Sequence, residues 1–292
     1  RPVLGVVERP SVIPLSQAQS RMWFINQFDT SSPAYNIPLA VRLSGALDVV
    51  ALEAAVGDVL VRHESLRTTF PVVGELPRQL IGSVSDVAVE LAVVELDAGG
   101  VQERIVADAA AGFDVTVDVP FRASLYRVGV DEFVLAIVVH HIAADGASMA
   151  PLAADVMVAY GARVAGGVPG WEPLAVQYAD YTLWQREVLG SEDDPGSVVS
   201  RQLEFWSGVL ADVPDVLPLP IDHPRPSRQS NRGASVAFDI DAATHDRLIE
   251  LARETRSTVF MVVHAAWSIL MARLSGTEDI TVGTPIAGRG EA

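Results

Sequence analysis

The sequence contains no cysteine. That absence removes a disulfide scaffold, a thiol nucleophile and any thiolate-ligated metal site. It fits a reducing cytoplasm. Positive charge is also scarce, with 21 basic against 37 acidic residues and a net charge of -16. Clustered Lys and Arg are the electrostatic footprint of a nucleic-acid binder. No such run occurs, so neither a nucleic-acid backbone nor an anionic membrane surface is an expected partner. Aromatic residues make up only 7%, so a core has to be built from Ala, Val, Leu and Ile. Long apolar runs are missing too. The N-terminal stretch has no signal-peptide core, and later apolar segments are broken by Gly, His or charge before a bilayer is crossed. The expectation is a soluble, cytoplasmic protein.

What is present is a chain of 292 residues, 49% of them hydrophobic. That is enough for one large domain or two lobes. Residues 1–14 carry Pro2, Pro10 and Pro14 without periodicity and read as an extended linker into a domain of something longer. Ser16 followed by Gln19 has the spacing of a capping box, predicting a helix to Phe28. Asn36–Leu43 alternates like a strand. Asp48 caps a second helix, with Val49, Leu52, Val56, Val59 and Leu60 at helical spacing as far as His63. Strands are expected at Leu66–Phe70, Arg78–Ile81 and Val87–Val94, and a helix at Val101–Ala111.

Phe121–Val128 and Glu132–Val139 form two further strands about a turn at Gly129–Asp131. The second is apolar on both faces and belongs in the middle of a covered sheet. Gly146 opens a helix to Val164, and helices follow at Val176–Leu189 and Val199–Leu210. The proline-rich residues 211–233 read as a crossover between an N-terminal lobe (15–210) and a C-terminal lobe (234–292). Beyond it come a strand at Val236–Ile240, a helix from Asp241 to Arg253, an apolar helix from Thr258 to Leu274, and a strand at Asp279–Val282. The mixture gives an α/β or α+β class.

The sharpest local feature is His140-His141, directly after the buried strand, with Asp145 and Gly146 close behind. Imidazole exchanges a proton near neutral pH. A nearby carboxylate either orients it or braces its loop. A helix N-terminus at Gly146 offers backbone N–H groups that suit a developing oxyanion. Together these suggest proton handling beside acyl transfer. Three other readings compete. The histidines are core residues at a strand end, or they ligate a metal with Asp145, or Ser148 is a nucleophile. Against the metal, adjacent histidines on an extended backbone point to opposite sides. Against Ser148, the Gly-x-Ser-x-Gly elbow is absent.

His140-His141-Ile142-Ala143-Ala144-Asp145-Gly146 resembles the HHxxxDG signature of the condensation domains of nonribosomal peptide synthetases, in the superfamily that includes chloramphenicol acetyltransferase. Leu15–Trp23 resembles the family's first motif, Arg62–Phe70 its second and Tyr178–Trp184 its fourth. The resemblance covers residues 12–292. It implies a two-lobed chloramphenicol acetyltransferase-like fold, with mixed sheets covered by helices. It also implies an acyltransferase that forms an amide bond between a carrier-bound thioester donor and an aminoacyl acceptor. His141 matches the catalytic histidine, which assists amine attack as a base or by positioning the amine. His140, Asp145, Gly146, Arg62, Arg67 and Trp184 match supporting positions. Asp145 is assigned to bracing the loop, with Arg62 as its expected partner, and Gly146 to letting the substrate arms approach. The domain binds no cofactor. Its substrates arrive on the phosphopantetheine arms of upstream and downstream peptidyl carrier proteins, beside an adenylation domain.

Departures are few. Ala147 stands where many relatives have Trp. The family's fifth motif lies past Gly283–Arg289, so the second lobe is expected to be incomplete and the piece inactive alone. The alternatives are an epimerising relative, disfavoured by Met149, an ester-forming relative, and a non-catalytic carrier-docking domain. Docking relatives tend to lose the second histidine, and His141 is present. Tyr178, Tyr181 and Trp184 read as structural. His63, His223, His245 and His264 receive no role, His264 being expected in the core of its apolar helix.

Overall fold

The structure is a computed structural model and describes residues 2–86, 89–97, 99–227 and 233–284. The chain divides into two compact units, Arg1–Ser200 and Arg201–Glu291. The first unit opens with β1 (Ile13–Pro14), α1 (Gln17–Asn26), β2 (Asn36–Ser44) and α2 (Val49–Arg62). A 3-10 turn (Glu64–Arg67) leads to β3 (Thr68–Thr69), β4 (Val72–Val73), β5 (Leu76–Ile81) and β6 (Val93–Glu95). Then come α3 (Gly100–Ala110), β7 (Phe121–Gly129), β8 (Glu132–His140), a 3-10 turn (Gly146–Ser148), α4 (Met149–Val164) and α5 (Tyr178–Leu189). The helix α6 (Val198–Val209) starts in this unit and continues into the next.

The main sheet has the order β2-β8-β7-β6, with β8 antiparallel to both neighbours and β6 parallel to β7. A smaller sheet groups β1, β3 and β4 around β5. The composition of β8 explains its central place. Phe133, Leu135, Ile137 and Val139 pack with Leu52, Val56 and Val59 of α2 and Leu152 and Val156 of α4. From the other face, Val134 and Ala136 pack with Val101 of α3 and with Tyr126, and Val138 with Phe70 and Phe113. With both faces covered, apolar–polar alternation has no role. Each large apolar side chain buried this way stabilises the fold by roughly 1.5–3 kcal/mol.

The caps form as the sequence leads one to expect. The Gln19 N–H donates to Ser16 Oγ at 3.1 Å, and the Ser16 N–H to Gln19 Oε1 at 3.0 Å. Asp48 accepts from the Ala51 N–H at 2.9 Å. The helix α1 stops at Asn26, short of Phe28. The Asn26 side chain turns to the chain before β7, donating to Phe113 O at 2.8 Å and accepting from the Val115 N–H at 3.3 Å. Two strands are shorter than expected. Leu66 and Arg67 lie in a 3-10 turn before Thr68–Thr69, and pairing next to β7 begins only at Val93. Val87 and Ala88 lie outside the described residues.

The proline-bearing N-terminal segment is extended but tied down. Arg9 binds Asp180 at 2.9 Å and Glu64 at 2.7 Å, and Trp184 Nε1 donates to Pro2 O at 2.8 Å.

The second unit contains α7 (Ala242–Glu254) and α8 (Val259–Ser275). Asp241 accepts from the Thr244 N–H at 2.7 Å and Thr258 from the Met261 N–H at 3.2 Å, so both helices are capped as anticipated. Gly276 closes α8 in the left-handed region at φ 70°, a conformation that favours glycine. The expected strands at Val236–Ile240 and Asp279–Val282 are irregular chain. A strand exists only through a partner's N–H and C=O groups, and no described segment pairs with either. His264 is partly buried against Phe260, ring centroids 5.9 Å apart, and belongs to none of the core clusters. Among the described residues no single helix is long and apolar enough to cross a membrane, and α7 and α8 meet at a bend of 103°. The fold is α/β, with mixed sheets covered by helices.

Candidate active site

The strand β8 runs in register with β2 from Ser44 opposite Glu132 to Asn36 opposite His140. At its end the backbone is held on both sides. The His140 N–H donates to Pro120 O at 3.0 Å and the His141 N–H to Tyr35 O at 2.8 Å. The two adjacent rings end in opposite environments, as extended backbone requires. His140 is 1% exposed, between the rings of Phe113 at 6.0 Å and Tyr35 at 6.3 Å. His141 is exposed, with the Tyr35 ring edge-on at 6.4 Å.

His140 Nδ1 accepts the Ile142 N–H at 3.1 Å. An accepting Nδ1 puts the proton of the neutral ring on Nε2. Burial pushes His140 down to about 4, helped by repulsion from His141. His140 is therefore neutral at pH 7, with its Nδ1 already engaged. The exposed ring available for proton transfer is that of His141.

The loop behind His141 is pinned in three places. Ile142 is buried with Leu15, Phe70 and Phe113, and Ala143 packs against the same cluster and the core beneath α2 and α4. The Ala143 N–H donates to His140 O at 3.0 Å. Asp145 Oδ1 accepts from the Ser148 N–H at 2.9 Å and from Ser148 Oγ at 2.7 Å, while Ser148 Oγ accepts from the Asp145 N–H at 3.1 Å. This is a reciprocal cap on the helical turn that leads into α4. It also occupies the Ser148 hydroxyl in the cap. A Cβ built on Gly146 meets nothing within 4 Å, so the space there is open. Among the described residues no group of three or more His, Asp or Glu is placed to hold a metal ion.

Arg62 does not pair with Asp145 as expected. Its Nε donates to Asp155 Oδ2 at 3.1 Å and its Nη1 to Glu172 O at 2.7 Å, and its guanidinium lies 4.7 Å above the Trp171 ring. His63 Nε2 meets the same Asp155 Oδ2 at 2.6 Å. The end of α2 is thus fastened to α4 and to the chain before α5. Arg67 sits in the turn after α2, donating from Nε to Leu60 O at 3.2 Å and from Nη1 to Gly82 O. Trp184 is buried at the end of an aromatic stack, with Tyr178–Tyr181 at 5.4 Å and Tyr181–Trp184 at 5.7 Å.

The structure therefore brings His140, His141, Asp145 and Gly146 into one loop. Arg62 ends α2, Arg67 lies in the turn after it and Trp184 lies in α5, so none of the three is part of that loop. Three contributors escaped sequence reading: Tyr35, which holds the His141 backbone, His63, which shares Asp155, and Arg9, which joins the N-terminal segment to α5. The pairing of β2 with β8 was the one available signal for Tyr35, since it places the residue before Asn36 beside the residue after His140.

The sequence profile of the condensation domain matches residues 10–292. The chain is 48% identical over 286 residues to a probable non-canonical nonribosomal peptide synthetase, CymA, of Salinispora arenicola, covering 98% of this chain and 4% of that protein. It is 47% identical to a dimodular nonribosomal peptide synthase of Bacillus subtilis, covering 99% of this chain and 12% of that protein. The chain thus spans a small fraction of the length of the curated relatives it matches. Among solved structures, the X-domain in its complex with OxyB from teicoplanin biosynthesis superposes with a TM-score of 0.88 at 38% identity, over 94% of this chain and 60% of that one.

Proposed function

The chain belongs to the condensation-domain family of nonribosomal peptide synthetases, and on that premise we propose that it forms an amide bond with His141 as its catalytic residue. The substrates are a donor acyl thioester and an acceptor aminoacyl group, each on the phosphopantetheine arm of a carrier protein. The acceptor amine attacks the thioester carbonyl, the C–N bond forms and the C–S bond breaks. His141 takes the proton from the amine, or holds the amine in line, and the departing thiolate gains a proton. No cofactor or metal takes part. Residues 15–210 and 234–292 belong to two lobes joined through 211–233, and an adenylation domain lies beside them in the parent chain.

The observation that carries this reading is the split between the two histidines. One is buried, neutral and engaged at Nδ1. The other is exposed at a loop that Asp145, Ile142 and the Tyr35 carbonyl hold in place, with open space at Gly146. General acid–base catalysis contributes about 100- to 10,000-fold. His141→Ala in the parent enzyme is expected to lower dipeptidyl product formation from loaded carrier proteins by about that factor. An unchanged rate overturns the assignment.

The likeness to the X-domain in its complex with OxyB favours a second reading, a domain of this fold that recruits a protein partner. On that reading the wild type forms no dipeptide, and partner binding survives His141→Ala.

A further inference from the structure

A cleft of about 400 Å³ opens in the first unit, walled by Val12, Pro14, Leu76 and Pro77 and carrying Arg78 and Arg186. None of the residues of the histidine loop lines it. Its size falls in the range of about 300–1,000 Å³ typical of small-molecule sites.

Both charges in this cleft are guanidinium groups. The sequence has no lysine, so all 21 basic residues are arginine, in a protein of net charge -16. In the same unit Arg9 pairs with Asp180, Arg62 with Asp155 and Arg163 with Asp58. Arg78 and Arg186 have no such partner among the described residues. Each is anchored to the backbone instead: Arg186 Nε donates to Leu15 O at 2.8 Å and Arg78 Nη1 to Pro77 O at 3.2 Å. Arg186 is exposed and Arg78 partly buried, so their remaining guanidinium N–H groups are open to solvent or to a ligand. Burial and then the charge of Arg78 push Arg186 below the usual arginine range, with Glu192 opposing. Two guanidinium groups that line one cleft, neither in a salt bridge among the described residues, suit an oxyanion, which each can meet with a planar fork of donors. The apolar walls suit an aliphatic stem attached to it.

We propose that this cleft binds a small organic oxyanion, a carboxylate or phosphate monoester on an aliphatic chain, with Arg78 and Arg186 gripping the anionic group. The test is a calorimetric titration of the full chain at low ionic strength with hexanoate, hexyl phosphate and the neutral control 1-hexanol. The expected result is saturable binding of at least one anion, at least about tenfold tighter than hexanol and weakened by added salt. The two anions tell the carboxylate from the phosphate source. Arg78→Gln and Arg186→Gln should each weaken binding at least about tenfold, because a bidentate charged contact is lost. Where Arg186→Gln unfolds the chain through its Leu15 contact, Arg78→Gln alone decides. Failure of both anions to saturate, equal binding of hexanol, or unchanged affinity in Arg78→Gln overturns the proposal.

Discussion

In the first unit β8 buries Phe133 through Val139 on two sheet faces, while in the second unit α8 leaves Phe260, Met261, Trp267 and Leu270 at the surface. Both segments are strongly apolar. Ala252 and Met271 are the buried apolar residues described in the second unit. The difference lies in what each element has to pack against. A central strand has two faces and two hydrogen-bonded neighbours, and here helices cover both sides. The helix α8 contacts α7, from which it is bent by 103°, and a helix apolar all round needs more cover than one such neighbour gives. Hydrophobic content alone therefore does not predict burial in this chain. The number of packing surfaces supplied to an element decides it.

Core substitutions give the sharpest test of that contrast. Phe113 is 1% exposed and packs with Phe70, Val138 and Ile142. Phe113→Ala should cost about 3–5 kcal/mol by urea denaturation, because the cavity opens beside His140. A loss below about 1 kcal/mol would mean that this core is loosely packed. Acid comes next. The folded chain resists protonating His140 until about pH 4, whereas the unfolded chain takes up that proton near pH 6.5. The contribution is intact above pH 6.5 and is lost as pH falls from 6.5 through 4, a drop of about 3 kcal/mol. Denaturation midpoints over that window should fall in the wild type and flatten in His140→Asn.

Smaller effects separate the units further. Amides of α7 and α8 should exchange with deuterium at least about tenfold faster than those of β8, since few buried contacts resist local opening. Equal protection in the two units would remove the contrast. Asp145→Ala should cost at least about 1 kcal/mol, the worth of one N-cap. Phe260→Ala should stay within about 0.5 kcal/mol of wild type. A cost as large as that of Phe113→Ala would show that α8 is packed after all.

Much of the first unit was legible because its signals are local or compositional. The Ser16–Gln19 box, the Asp48 cap, the β7–β8 turn and the doubly apolar β8 need few residues each to be read. The opposite burial of His140 and His141 follows from the strand period alone. The partner of Arg62 was not legible. Asp155 lies 93 positions away, and among 37 acidic residues nothing local marks it. Val236–Ile240 failed for another reason: the alternation is there, but pairing is a property of two segments. The N-terminal segment looked like a free linker because Arg9 reveals its purpose only beside Asp180 and Glu64.

The nine-pair register between β2 and β8 acts as a reading frame for two chemically identical side chains. A slip of one residue would send His141 inward and His140 to the surface, because the pleat exchanges every side chain between faces. No atom of either imidazole would change, yet the exposed and the buried ring would trade identities. Holding that register against β2 is therefore as much a condition for exposing His141 as the presence of the histidine itself.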